Sequence, residues 1–473
     1  MSRLIHKRKI NKNLKRVIGI AVPITIQNVI QSSLSLVDQV MVGQLGVTSI
    51  AAVAVGGKFS YLLIMILSAI FNCTSIMLAQ FYGNKDYKSA NRSIKINFCF
   101  AIVLFAIFTM FGVLCPSRIA QIYTSDAQTI ALAASYIRIT AFGYISLAIT
   151  NVLYPVFRNV GLARYAMYAS LSALVANTIL NFLLIFGFSG IPAMGVYGAA
   201  LATTLSRYIE LIIAVSLFFI KVHKQFRIKV FSNLHIKKSF IKKTFIIFLP
   251  IFITQFLWSL GDMAFSMIYG HIGVEEFAVM SLTYPLQGLA TALFTGLSSS
   301  AGIISGNLLG KNKRRACVLI TKRFIIYTIF SSIIVGIILI LLSPFYCRLF
   351  SLSDQGAETL HILIILFSVF LVVKVFNMVN DTIINSGGRT KIIAYINFMG
   401  MLLGVIIGVV SAFVLNLSIT WVYFLITLEE VFRMALGIYI YRSQSWINNF
   451  ASNSESHKNQ IITHEEEIDL QDK

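Results

Sequence analysis

Residues 43–47 read GQLGV and return 227 positions later as GHIGV at residues 270–274, so the sequence contains an internal repeat. The same offset relates residues far apart in the chain, namely Pro23 and Pro250, Ala51 and Ala278, Gly83 and Gly310, Gly161 and Gly388, and Tyr168 and Tyr395. Because the offset is constant, the two halves align without gaps from the first hydrophobic segment to about the fifth. A long and hydrophobic repeat of this kind predicts two related membrane lobes.

The composition predicts an all-α integral membrane protein. Hydrophobic residues make up 57% of the chain and charged residues 12%, whereas a soluble domain has roughly 25% charged residues. The apolar runs are long enough for membrane helices, which need ~20 residues, and they lack the alternation of polar and apolar residues of a barrel strand. Twelve spans are predicted, at 17–42, 50–80, 96–115, 129–156, 163–187, 194–220, 244–269, 277–308, 323–345, 357–384, 391–413 and 418–441.

The distribution of basic residues predicts the orientation. The formal net charge is +21, and Lys and Arg concentrate in alternate loops. Since basic loops stay cytoplasmic, the chain is predicted to span the inner membrane with both termini and the central linker on the cytoplasmic side. The predicted organisation is a basic N-terminus (1–16), an N-lobe (17–220), a basic linker (221–243), a C-lobe (244–442) and a polar tail (443–473).

Several functional classes are not favoured by the sequence. The basic residues lie between apolar spans, which favours contact with anionic lipid headgroups over nucleic-acid binding. The five cysteines are scattered, the seven histidines are dispersed, and no phosphate-binding Gly-rich loop or hydrolase motif is present. An enzyme is therefore not predicted, no cofactor is expected, and any energy coupling must use a gradient of Na⁺ or H⁺.

Asp38 is the first candidate for such coupling. It lies towards the outer end of the first predicted span, with no Lys or Arg within four residues. Pro23 in the same span frees a backbone carbonyl and permits a bend, and Pro250 is its counterpart in the repeat. A lone carboxylate on a bendable helix suits reversible binding of H⁺ or Na⁺. The alternative is an interfacial acid that is solvated from outside.

Three polar residues accompany Asp38 as candidate ligands. Asn177 and Asn181 are four residues apart in the fifth span and share one helical face, and Thr203 lies in the sixth span. Their oxygens are suitable for Na⁺, but such residues also hold membrane helices together, and the spacing alone leaves both interpretations open.

The remaining intramembrane charges divide into local pairs and candidates for a cavity. Arg207 with Glu210 and Glu429 with Arg433 have spacings that favour local pairing, which leaves Glu430 as a candidate without such a partner. Asp262, Lys374 and Asp381 either line a cavity as an internal ion pair or form structural pairs across helices. Lys58 and Arg138 lie near span ends and can extend to the interface.

The sequence resembles the multidrug and toxic compound extrusion (MATE) family of efflux antiporters over essentially all predicted spans. The resemblance rests on the order of several short motifs: Pro23, the Asp38 segment with Gly43 and Gly46, Ala79-Gln80 with Gly83, Arg158 with Gly161, GVYGAALAT at 195–203, Gly387-Gly388, and Arg442-Ser443 with Trp446. It implies two pseudo-symmetric bundles of six helices and exchange of Na⁺ or H⁺ for organic cations by alternating access.

The resemblance also implies an N-lobe ion site at Asp38, Asn177 and Thr203. A second acidic residue of that pattern is Asn181 here. In the C-lobe, Trp258 stands where some members have an acid, with Asp262 one turn later, and Lys374 appears near a second acidic position. Asn385 and Arg389 also depart from the family's pattern after the tenth span.

These observations predict a monomeric, ion-coupled exporter of cationic or amphiphilic drugs. A flippase of lipid-linked or polysaccharide precursors is the alternative, and a cleft lined by Arg and Lys would favour it because those substrates are anionic.

Overall fold

The computed structural model describes most of the hydrophobic chain. The described residues are 19–31, 34, 38, 41–42, 44–45, 47–123, 126–188, 190, 192–223, 236–272, 274–348 and 353–448. The predicted basic N-terminus, most of the predicted linker, and the polar tail beyond Asn448 lie outside the described residues.

The described residues are almost entirely helical. The helices are α1 (19–31), α2 (Val47–Gly83), α3 (Tyr87–Leu114), α4 (Pro116–Gln121), α5 (Ala127–Asn159), α6 (Ala163–Phe186), α7 (Gly195–Leu217), α8 (Lys238–Ile272), α9 (Val274–Gly310), α10 (Arg314–Cys347), α11 (Asp354–Ser386), α12 (Thr390–Val409) and α13 (Ile419–Ser443). A π-helical turn extends α7 over Phe218–His223, and another extends α12 over Val410–Val414.

The helices are those of a membrane protein. Within the described part of the chain, nine helices are long and apolar enough to cross a membrane. Apart from the six-residue α4, each described helix overlaps one predicted span. The all-α prediction is therefore confirmed, whereas the number of helices that cross the membrane, and their division into two bundles of six, stay predictions.

The chain forms two compact units. Unit 1 comprises residues 1–78 and 85–248, and unit 2 comprises residues 79–84 and 249–473. The end of α2 belongs to unit 2 because it packs closely on α9. Gly83 faces the backbone of Asn307, and Gly310 faces the backbone of Gln80, so that a Cβ at either glycine would clash.

The sequence repeat reappears as repeated local structure. Asp126 caps the N-terminus of α5 by accepting a hydrogen bond from the Thr129 amide (2.8 Å). Ser353, 227 residues later, caps α11 by accepting one from the Gly356 amide (2.9 Å). The residue at the left-handed turn after each helix is again a glycine of the repeat, Gly161 (φ 82°) after α5 and Gly388 (φ 77°) after α11.

Each unit has its own buried interior. In unit 2, α11 lies at the centre of an apolar core in which Leu360, Leu371 and Val375 are fully buried. In unit 1, α5 has the same place in the repeat and carries Ala148, Val152 and many other buried side chains. Since lipid supplies little hydrophobic drive for helix association, close packing and buried polar contacts become the main forces between these helices.

Candidate functional site

The predicted ion site of unit 1 is assembled on α6. Asn177 and Asn181 lie one turn apart on its inner face and are fully buried. The Asn181 amide nitrogen donates to Asp38 Oδ1 at 2.5 Å and also lies 3.1 Å from Asn177 Oδ1. Thus Asp38, itself partly buried, contacts the asparagine that stands where the family pattern has a second acid.

Thr203 on α7 reaches this site through a tyrosine. Tyr136 on α5 is 8% exposed, interacts with the Thr203 side chain, and lies within electrostatic range of Asp38. The prediction from sequence did not include Tyr136, because a lone tyrosine on an apolar helix gives no signal of a polar neighbour.

Arg207 and Glu210 pair as their spacing predicts, but the pair is part of a larger network. Arg207 Nη1 lies 2.8 Å from Glu210 Oε2, and Glu210 is almost fully buried. The hydroxyl of Tyr154 donates to Glu210 Oε1 at 2.5 Å, and that of Ser170 donates to it at 3.1 Å. The carboxylate of Glu210 is therefore balanced by one guanidinium and two neutral donors, while Arg207 also interacts with Asp38.

The network continues to the first helix. Gln27 on α1 donates to Ser170 Oγ at 3.3 Å and accepts from Arg158 Nη2 at 2.8 Å. The Arg158 guanidinium also stacks over the ring of Phe71, 4.8 Å from its centroid. The segment of α1 that follows Pro23 is thus tied to α5 and α6 by buried hydrogen bonds.

The chemistry of the Asp38 site suits a small hard cation or a proton. One carboxylate, two amide oxygens and a hydroxyl are present, and among the described residues Asn181 Oδ1 has no hydrogen-bond partner. A buried acceptor without a partner is costly, so it favours a bound donor or cation. Within the same described residues, no group of three or more His, Cys, Asp and Glu has the arrangement of a metal site.

Unit 2 contains a different charge cluster, centred on Arg433 of α13. Its guanidinium lies 3.4 Å from Asp381 Oδ2, 3.2 Å from Glu430 Oε2 and 3.8 Å from Glu429 Oε1. The Asn377 amide donates to Glu430 Oε2 at 2.8 Å. The prediction that Glu430 lacks a local partner is wrong, because the three-residue spacing to Arg433 lets both glutamates face the same guanidinium.

An internal pair between Lys374 and Asp381 was one predicted alternative, and the structure differs from it. Asp381 pairs with Arg433 because α13 packs against α11, and the Lys374 Nζ atom lies 5.9 Å from the centroid of the Trp258 ring. Lys374 is half-buried and Asp262 is exposed. Trp258, Asp262, Lys374 and Glu430 line one cavity in unit 2, together with Glu429 and Arg433.

Aromatic side chains form part of the walls of that cavity. They include Phe265, Tyr269, Tyr284, Phe370 and Tyr423, contributed by α8, α9, α11 and α13. Asn397 on α12 also faces it, and among the described residues its Oδ1 atom has no hydrogen-bond partner. Aromatic walls with a few convergent polar groups are the usual lining of a small-molecule site.

Four further predicted residues are placed by the structure. Pro23 lies within α1, where it is half-buried, and Pro250 lies buried within α8, so both can bend their helices. Lys58 and Arg138 are exposed on α2 and α5 and take no part in either buried cluster.

A multi-pass helical protein with a buried carboxylate site and an aromatic cavity has the features of a membrane transporter. The sequence model of the MatE family matches residues 23–183 and 250–410, and both ends of the second match repeat the 227-residue offset. The matched segments cover well over half of the chain, and the chain belongs to this family of multidrug efflux transporters.

Relatives support the same class. The chain is 26% identical to "Probable multidrug resistance protein NorM" of Agrobacterium fabrum over 78% of this chain and 79% of that protein. It is 24% identical to a protein of the same name from Thermotoga maritima, over 93% of this chain and 94% of that one. These relatives do not favour the lipid-precursor flippase that the sequence left as an alternative.

A solved structure shows the same fold. The structure described as "Crystal structure of MATE in the bent conformation" matches with a TM-score of 0.84 and 18% identity, covering 93% of this chain and 97% of that chain.

Proposed function

We propose that the chain is an antiporter that exports organic cations or other amphiphilic drugs in exchange for H⁺ or Na⁺. The observation that carries the proposal is the partly buried carboxylate of Asp38, which receives the Asn181 amide beside a second buried amide. An ionisable group inside a membrane span is costly and persists where it has a function. Family membership and the relatives named multidrug resistance proteins support the substrate class.

Neutralisation of Asp38 is the proposed coupling step. While the carboxylate is charged, its hydrogen bond from Asn181 is charge-assisted and strong. A proton or Na⁺ bound at Asp38 weakens that attraction, so the segment of the first span that carries Asp38 is bound less strongly to α6. The segment then bends at Pro23, and the hydrogen bonds of Gln27 to Arg158 and Ser170 are the contacts that this bend must rearrange.

Coupling further requires that the two conformations differ in affinity for the ion and for the drug, since a ligand shifts an equilibrium only by its differential affinity. In the proposed cycle, the conformation that exposes substrate outward is the one in which Asp38 is neutral. The substrate leaves there, and release of the ion inward resets the protein.

The test is transport by the purified protein in liposomes. Ethidium movement is followed by fluorescence under an imposed pH gradient and, separately, under an imposed Na⁺ gradient, with protein-free liposomes as the control. Acceleration by one gradient, abolished when an ionophore collapses that gradient, is the expected result and names the ion. Equal ethidium movement with and without both gradients would contradict antiport.

A further inference from the structure

Two basic side chains line the cavity of unit 2, and their surroundings differ. The cavity's lining charges are Asp262, Glu429, Glu430, Lys374 and Arg433. Arg433 is surrounded by carboxylates at 3.2–3.8 Å. Among the described residues, Lys374 makes no ion pair within 4.0 Å, and its ammonium rests near the face of Trp258 instead.

Lys374 therefore occupies the place that the positive group of a ligand would take. Its ammonium lies 5.9 Å from the Trp258 ring centroid, within the range of a cation–π contact. It also interacts electrostatically with Glu429 and Glu430. An aromatic cation that stacks on Trp258 and approaches these glutamates must lie beside this ammonium or displace it.

Repulsion by a fixed positive charge is proportional to the charge of the incoming ligand. Lys374 therefore repels a dication twice as strongly as a monocation when the charges lie at the same distance. The attraction of the lining carboxylates doubles as well, so the charge of Lys374 offsets part of the gain that a dication would otherwise have. The cavity is partly buried, so the interaction is screened less than it would be in water.

We propose that Lys374 sets the charge selectivity of the unit 2 cavity for flat aromatic cations, because its ammonium lowers the affinity for dications relative to monocations of the same ring system. The proposal rests on the proposed function, in which this cavity binds the exported organic cation, and it assigns a specificity role to a residue of unit 2. The aromatic walls supply stacking, the glutamates attract positive charge, and Lys374 limits how much positive charge enters.

Ethidium and propidium form a matched pair of probes, because they share one phenanthridinium ring and differ in that propidium carries a second, quaternary ammonium. Equilibrium binding of each dye to the purified full chain is measured by fluorescence, with no gradient. The variants are Lys374→Met and Lys374→Gln, which remove the charge, and Lys374→Arg, which keeps it. Lys58→Met removes an exposed charge from unit 1 and is the control.

The wild-type protein is expected to bind both dyes. In both neutral variants the affinity ratio of propidium to ethidium should rise about tenfold, whereas Lys374→Arg and Lys58→Met should leave the ratio unchanged. Trp258→Ala should weaken both dyes, which places them in this cavity. Size-exclusion chromatography identifies a variant that does not fold. If one neutral variant fails to fold, the other is used in its place.

The proposal is overturned if the ratio stays constant in a folded neutral variant, if Lys374→Arg shifts it equally, or if Trp258→Ala leaves both dyes unaffected. Failure of the wild-type protein to bind either dye also overturns it. These outcomes differ from failure of the antiport proposal, since binding requires neither a gradient nor Asp38. If the protein shows the predicted selectivity in dye binding but neither gradient drives transport, the proposal for Lys374 stands and the antiport proposal fails.

Discussion

Among the described residues, the guanidinium of Arg207 in unit 1 forms an ion pair within 4.0 Å with one carboxylate, whereas that of Arg433 in unit 2 does so with three. The two clusters are built at matching places in the repeat, because the 227-residue offset relates Tyr154 to Asp381 and Ser170 to Asn397. In unit 1 these positions are neutral hydroxyls that donate to Glu210. In unit 2 they are a carboxylate and an amide, so the same location carries an excess of negative charge.

The Asp38 site shows the opposite difference. The offset relates Asp38 to Phe265, Asn177 to Gly404 and Asn181 to Gly408. The Phe265 ring lies beside Gly404, where an added Cβ would come within 3.1 Å of the ring. The positions of the proposed ion site of unit 1 thus form an aromatic contact in unit 2, which accords with the proposed ion coupling in the first unit and the proposed substrate recognition in the second.

The largest expected effect is the loss of the guanidinium in unit 2. Arg433→Met leaves Asp381, Glu429 and Glu430 together without their shared cation, and breaking a buried ion pair from one side costs about 3–5 kcal/mol. Arg207→Met should cost less than half as much, because Glu210 keeps its hydrogen bonds from Tyr154 and Ser170. Thermal unfolding of both variants in the same detergent measures the difference. Equal destabilisation would show that the charge excess in unit 2 carries no energetic weight.

A smaller effect is expected from crowding the same cluster. A Cβ at Gly400 on α12 would press on the side chain of Arg433 and come within 2.6 Å of Glu429 Oε2. Overpacking of this kind costs about 1–3 kcal/mol, so Gly400→Ala should lower the unfolding midpoint. Gly57→Ala in α2 is the matched control, since no atom would lie within 4 Å of its new Cβ, and it should be neutral or slightly stabilising. A Gly400→Ala protein as stable as the control would mean that α12 does not hold Arg433 in place.

The positions of the helices and the Arg207–Glu210 pair could be predicted from the sequence, because apolar length and i, i+3 spacing are local properties. The three-residue spacing of Glu430 and Arg433 is equally local, but the four-residue spacing of Glu429 and Arg433 points to the same guanidinium, and spacing alone does not show that both glutamates share it. The contacts of Gln27 with Arg158 and Ser170 join three helices, and no local pattern indicates which residues meet across such distances. The contact between Asn181 and Asp38 could be expected only from the family resemblance, because two amides four residues apart serve equally well as contacts between helices.

The next effect is expected in transport rather than in stability, and it concerns the Asn181 amide that donates to Asp38. Asn181→Ala removes the donor to Asp38 Oδ1, and the loss of one charge-assisted hydrogen bond is worth about 1.5–3 kcal/mol at most. Gradient-driven ethidium efflux in liposomes should fall about tenfold, but it should not be abolished because the carboxylate remains. Asn385→Ala, at a position outside the site, serves as the control for removing an amide. Wild-type efflux by Asn181→Ala would separate Asn181 from the ion site.

The smallest expected effect distinguishes the two matching helix caps by pH. The hydrogen bonds from the Thr129 side chain and backbone hold the pKa of Asp126 below its usual value. Because the pKa is depressed in the folded state, the stabilisation is present above the ordinary aspartate pKa of ~3.9 and is lost as pH falls through the folded value. Asp126→Asn should therefore show a smaller drop in unfolding midpoint between pH 7 and pH 3 than the wild-type protein. Ser353→Ala should lose about 1 kcal/mol at both pH values, as expected for a neutral cap, and a pH-dependent loss there would contradict this difference.

The most direct test of ion coupling through Asp38 compares Asp38→Asn with the wild-type protein in one type of liposome preparation. Ethidium binding and ethidium efflux are both measured, the latter under whichever gradient drives the wild-type protein. Asp38→Asn is expected to bind ethidium with wild-type affinity and no longer to respond to the gradient. An Asp38→Asn protein whose efflux accelerates with the gradient as the wild-type protein does would contradict the assignment of coupling to Asp38.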